Sequence, residues 1–238
     1  MNNKEFVAKL VDIAKNYKTL YVMGCFGAPL TDVNKTRYCN NHSYNKQSDR
    51  KAMIKSATSD TFGFDCVNLI KGVLWGWNGD TSKTYGGAKY LANDVPDVSA
   101  NVMITKCTNL STDFKNIEIG EAVWCSGHIG VYIGDGLAVE CTPAWENCVQ
   151  ITACNKTKTG YKRRDWVKHG KLPYITYIKE ENKKLETGND IVWELMNGKH
   201  NVKIDDVNRA VKALDMAKKD SKYMSLYWIL YKLVNGNE

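Results

Sequence analysis

The chain has 238 residues, a formal net charge of +7 and 43% hydrophobic side chains, which suits one sizeable core with or without a small appendage. No apolar run approaches the length of a membrane span, since the most apolar late stretch, residues 226–234, is short and broken by Lys232. Eight cysteines would suit a secreted disulfide framework, but no CxxC pair occurs and the first twenty residues hold no uninterrupted apolar region, so the thiols are expected to be reduced and the chain made in a cytoplasm.

The charge is uneven. Residues 180–238 carry ten basic and ten acidic side chains, so the whole excess lies in the first part. A basic domain suits a polyanionic target: nucleic acid, a membrane surface or an anionic cell wall. No nucleic-acid motif with base-stacking aromatics at recognisable spacing is present, so nucleic acid is not the expected partner.

In chain order, residues 3–17 place Phe6, Val7, Leu10, Val11 and Ala14 on one stripe, which predicts an amphipathic opening helix. Tyr21 and Val22 then lead into Gly24, Gly27 and Pro29, an extended piece ending in a turn. Residues 31–60 are polar, with little periodicity apart from Met53 and Ile54, and read as a long loop with at most one helical turn. His42 follows Cys39 by three positions, but no second half of a metal site appears at zinc-like spacing, so His42 is expected at the surface and no metal is expected.

Residues 61–77 dominate the reading. Asp65 is a good N-cap residue, and Val67, Ile70, Val73, Leu74 and Trp77 follow at helical spacing, so Cys66 is predicted in the first turn of a buried helix. Unpaired amides and the helix dipole at that point favour the thiolate and are expected to lower the thiol pKa. The alternative is a buried cysteine serving as a small hydrophobe. Beyond it lie a polar connection from Gly79, a short helical piece over 88–92, and a mixed loop over 102–119.

From Gly120 the pattern predicts consecutive strands over 122–125, 129–133 and 137–141. A three-residue loop of Gly134, Asp135 and Gly136 pairs Ile133 with Leu137. This puts Ile129, Val131 and Ile133 on one face with Leu137, Val139 and Cys141, and such an apolar set fixes register. On the other face His128 and Glu140 become diagonal neighbours, about 7 to 8 Å apart at the backbone, with Gly130 leaving room between them. A histidine held by a carboxylate is what a cysteine hydrolase needs to take the thiol proton and return it to a leaving amine.

Phe64-Asp65-Cys66 opening an apolar helix, followed by GHIGVYIGDG with a polar residue twelve positions after the histidine and preceded by LYVMGCFGAP with Tyr21, resembles the NlpC-type papain-like peptidoglycan hydrolases over roughly residues 18–152. The resemblance implies an α+β papain-like fold, with helices packed on a central antiparallel sheet. It also implies Cys66 as nucleophile, His128 as base and acid, Glu140 as the orienting third member, and Tyr21 near the nucleophile, with the Cys66 amide in the oxyanion site. No cofactor is implied. Two features differ from the usual pattern: Val67 and Asn68 stand where small residues follow the cysteine, and Glu140 stands where a histidine or neutral amide is commoner. The implied partner is bacterial peptidoglycan, cut at an amide bond in the peptide stem. Joined to the absence of an export signal, this resembles a bacteriophage endolysin acting on the wall of a Gram-positive host after release from the cytoplasm. An N-acetylmuramoyl-L-alanine amidase with the same triad and a non-catalytic wall-binding protein are the alternatives.

The catalytic domain is expected over 1–179. After the charged run KEENKKLETGND, residues 180–238 contain three short helical patterns, a small all-α module that either binds the wall or packs as an extension.

Overall fold

The computed structural model describes residues 1–178, and the expected C-terminal module falls outside the described residues. The first helix, α1 (Asn3–Asn16), begins at a capping box in which the Asn2 side chain accepts from the Glu5 amide while the Glu5 carboxylate accepts from the Asn2 amide. Its Phe6, Leu10 and Ile13 are buried. Three short strands follow: β1 (Thr19–Tyr21), β2 (Phe26–Pro29) and β3 (Phe62–Phe64), in a small sheet of order β1-β3-β2. β3 runs parallel to β1 and antiparallel to β2, and it delivers the chain directly to Asp65 and Cys66.

The polar stretch between β2 and β3 is a correction to the sequence reading. In place of a long loop it forms α2 (Asp32–Asn41), α3 (Ser43–Lys46) and α4 (Ser48–Ser56). Tyr38, Cys39 and Ile54 are their buried apolar anchors, packing with Val22, Cys25, Ala28 and Leu30 in a core of their own, while Tyr44 packs against the main core. Polar groups do the rest. Thr31 caps α2, the Asn45 side chain ties α3 to both backbone groups of Met23 and to the Tyr38 carbonyl, and Arg50 donates from α4 to the Tyr21 carbonyl. Hydrogen bonds between distant segments leave no trace in hydrophobic periodicity.

The next helix, α5 (Cys66–Leu74), is buried along its whole length and ends before Trp77. The Trp77 ring is nevertheless buried, with Nε1 donating to the Gly27 carbonyl at 2.9 Å. The short helix expected over 88–92 is instead a single 3-10 turn over Ala92–Asp94. The stretch read as mixed loop holds most of α6 (Ala100–Lys106), then β4 (Thr108–Ser111) and another 3-10 turn.

The remaining strands are β5 (Ala122–Cys125), β6 (His128–Gly134), β7 (Leu137–Cys141), β8 (Val149–Cys154), β9 (Arg163–Arg164) and β10 (Lys168–Lys171). With β4 they form a seven-stranded sheet of order β4-β10-β5-β6-β7-β8-β9, antiparallel except where β9 joins β8. Helices packed on a central antiparallel sheet make the described domain an α+β fold, as expected.

The β6–β7 hairpin keeps the expected pairing but turns differently. Asp135 and Gly136 form a two-residue turn with left-handed φ of 52° and 69°, so Gly134 faces Leu137. A bulge at Ile133 then shifts the register by one, and Val131 faces Val139 while Tyr132 faces Ala138. Beyond the bulge, Ile129, Val131, Val139 and Cys141 enter the main core, where α5 packs on β6 and β7.

Candidate active site

Asp65 holds the start of α5. Its carboxylate accepts from the Asn68 amide at 2.8 Å, from the Asn68 side chain at 2.7 Å and from the Gly24 amide at 2.8 Å. One buried side chain thus caps the helix and pins the glycine turn after β1 beside it. Asn68, one of the two residues that differ from the usual pattern, donates to this carboxylate, and both it and Val67 line the cleft beside Cys66.

Cys66 lines an open cleft of about 450 Å³ with Tyr21, Asp65, Val67, Lys71 and Gly127 among its neighbours. The thiol lies against the backbone amide of Ile129, the residue after His128 in β6. Contrary to the expectation of a lowered pKa, burial pushes the Cys66 thiol up to about 12, and the charge of Asp65 adds to this. The amides of Val67, Ile129 and Cys66 pull the other way without prevailing, so the helix start is outweighed by desolvation.

Tyr21 lines the same cleft, its ring edge-on to Tyr44 at 5.9 Å. Burial first, then the nearby Cys66 and Asp65, raise its phenol well above the ordinary value, so it is a neutral O–H donor. His42, expected at the surface, lines the cleft too. Its ring lies where a Cβ on Gly24 would stand, and only a glycine with φ of 80° lets it approach. Lys71 is buried in the same wall, paired with Asp97 and donating to the Val98 carbonyl at 3.1 Å.

The His128–Glu140 pair forms as the hairpin register implies. His128 Nε2 donates to Glu140 Oε2 at 2.6 Å, so in the neutral ring Nδ1 is the nitrogen that carries the lone pair. The imidazole stacks face to face on Trp166, centroids 5.5 Å apart and planes within 9°. The room beside Gly130 is taken by that indole, since a Cβ there would stand 3.0 Å from the Trp166 ring.

Glu140 is fully buried and makes four further contacts that the sequence did not reveal. Thr152 Oγ1 donates to Oε1 at 2.6 Å, and Arg164 reaches Oε2 from Nη2 at 2.8 Å and from Nε at 3.1 Å, with Nε also 3.2 Å from Oε1. Burial opposes ionisation of this carboxyl, but the hydrogen bonds from His128 and Arg164 outweigh it and hold the group below the usual carboxylate range. Thr152 was discoverable as the next strand's neighbour on this face. Arg164, in a two-residue strand, carried no signal. Among the described residues no cluster of histidine, cysteine and carboxylate side chains is arranged to hold a metal ion, and no helix is long and apolar enough to cross a membrane.

No protein-family model and no curated protein sequence matches the chain. Solved structures that resemble its fold include two proteins of Trichomonas vaginalis, NlpC1 and NlpC2. NlpC1 aligns with a TM-score of 0.37 and 16% identity over 72% of this chain and 44% of that one. NlpC2 aligns with a TM-score of 0.37 and 17% identity over 72% and 46%. The chain thus spans less than half the length of either protein.

Proposed function

We propose that residues 1–179 form a cysteine hydrolase that cleaves an amide bond in the peptide stem of bacterial peptidoglycan, with Cys66, His128 and Glu140 as its triad. The observation that carries the reading is the 2.6 Å bond from His128 Nε2 to Glu140, which commits Nε2 as the donor and leaves Nδ1 to serve as the base in the neutral ring, on the strand that packs against the Cys66 helix. A thiol held neutral by burial ionises only if its proton has a destination. In this reading Nδ1 takes that proton as sulfur attacks the carbonyl carbon, and the resulting imidazolium lies against Glu140. The Cys66 amide at the start of α5 and the Tyr21 hydroxyl serve as donors to the tetrahedral oxygen. As the C–N bond breaks, the amine leaves with the proton from His128. Water, deprotonated by the same nitrogen, then hydrolyses the thioester and returns the thiol.

The net positive charge suits an anionic wall. The reading extends to a lysin acting on Gram-positive cells after its release from the cytoplasm, with residues 180–238 as a wall-binding module. Incubating the full chain with purified Gram-positive walls and weighing the soluble fragments by mass spectrometry tests it. New amino termini within the stem are expected. Release of intact stems from muramic acid would make the enzyme an amidase, and equal release by Cys66→Ala would overturn the mechanism.

A further inference from the structure

We infer that Arg164 is a positioning residue: its guanidinium neutralises Glu140, so that this carboxylate orients His128 as a hydrogen-bond acceptor while adding no net charge beside the ring. The inference rests on His128 being the base of the proposed hydrolase.

A fully buried carboxylate beside a catalytic imidazole has two consequences unless compensated. Desolvation drives it toward the protonated form, and as an anion it holds the imidazolium proton too firmly for transfer to a leaving amine. The arrangement around Glu140 answers both. Arg164 engages it through two nitrogens, the fork geometry that suits a planar carboxylate. The guanidinium is itself shielded, lying over the Trp145 ring at 4.7 Å and 5.8 Å from the Trp166 centroid. Trp166 also stacks on His128, so the imidazole, indole and guanidinium form one packed set around a single carboxylate. The charged and titratable groups facing Glu140 are His128 from β6, Arg164 from β9 and, more distantly, Cys125 from β5. β8 contributes only the neutral Thr152 and the facing Gln150. Arg164 is therefore the permanent cation that balances Glu140. A purely structural role would be to latch the two-residue β9 across β8 to the end of β7, and the bond from Nη2 to Thr142 at 3.1 Å, just past β7, shows that such a latch exists. The latch and the charge role predict different behaviour.

The test is the pH dependence of Cys66 alkylation by iodoacetamide in the full-length protein, read by mass spectrometry of the Cys66 peptide, with unfolding followed in parallel. Alkylation reports the Cys66–His128 pair without any substrate. Glu140→Gln leaves Arg164 as an unbalanced cation beside the ring, and is expected to slow alkylation near neutral pH about tenfold, the effect of one unit in a coupled ionisation. Adding Arg164→Gln to that variant removes the cation and is expected to restore most of the rate. Arg164→Gln alone is expected to move the acid limb of the profile to higher pH. Arg164→Lys, which keeps the charge and loses the fork, is expected to retain the parent profile even with a lower melting temperature. A double variant no faster than Glu140→Gln, or a lysine variant whose profile shifts as far as that of the glutamine variant, would overturn the inference. Coupling without wall cleavage would remove only the substrate assignment, and wall cleavage without coupling would remove only the role of Arg164.

Discussion

The seven-stranded sheet carries two histidine–carboxylate pairs, and they are built differently. His128 meets Glu140 across β6 and β7, whereas His169 on β10 meets Glu121 just before β5. The first imidazole has a side chain 14% exposed and one nitrogen engaged. The second is 5% exposed and spends both nitrogens, Nδ1 with Glu121 and Nε2 on the Asp113 carbonyl at 3.0 Å. Their carboxylates also part ways. Hydrogen bonds from His128 and Arg164 overcome burial to hold Glu140 low, while burial outweighs His169 and raises Glu121. A histidine–carboxylate pair becomes a candidate base only when one ring nitrogen is spare and the carboxylate is balanced by something else.

The widest expected separation comes from deleting each ring. His128→Ala should lower turnover by roughly 10²- to 10⁴-fold, the range for a lost general acid–base, with a smaller fall in melting temperature than His169→Ala because Arg164 still pairs with Glu140. His169→Ala should leave the turnover of folded protein nearly unchanged but destabilise it by about 3–5 kcal/mol, as expected on breaking a buried pair. Paired thermal and kinetic measurements would break the comparison if these outcomes were exchanged. Gly130→Ala comes next. Its Cβ would stand 2.8 Å from the Val139 carbonyl and 3.0 Å from the Trp166 ring, so a loss of about 1–3 kcal/mol and a weakened His128–Trp166 stack are expected, visible in denaturant unfolding and in fragment release.

The carboxylates themselves give opposite signs with pH. Glu140, depressed in the fold, contributes stability that is present above the unfolded value of about 4.3 and lost as pH falls through its native value. Glu121, raised in the fold, binds its proton more readily when folded, so its contribution falls as pH rises above about 4.3. Urea unfolding from about pH 3 to 7 should show the acid loss flattened in Glu140→Gln and steepened in Glu121→Gln. The smallest effect is expected for Asn68→Ala, which removes one of three bonds to Asp65 at a cost of about 1 kcal/mol, with activity reduced only as far as the start of α5 loosens.

The legible parts of the chain were those where information is local. Asp65 followed by buried positions at helical spacing announced α5, and a wholly apolar face set the hairpin register that joins His128 to Glu140. The bulge at Ile133 escaped because it changes the turn and leaves the pairing beyond it intact. The helices between β2 and β3 escaped because Asn45 and Arg50 hold them through backbone groups at Met23 and Tyr21, which no periodicity records. Arg164 lies 24 residues from Glu140, and only the parallel addition of β9 to β8 brings it within reach. The Cys66 pKa was misjudged for a related reason. A dipole can be read from position in a helix, but the depth of burial that overrides it depends on β6 and β7 packing over the same residue.

That burial extends to most of the other thiols. All eight cysteines are free, and Cys25, Cys107 and Cys154, like Cys66, are pushed up to about 12 by desolvation, with Cys125, Cys141 and Cys148 also raised. Peroxide and disulfide partners react with thiolates. A chain so rich in sulfur, yet holding nearly all of it as neutral thiol, should therefore resist sulfenylation and scrambling in oxidising surroundings for as long as it stays folded, and become vulnerable at once when it unfolds.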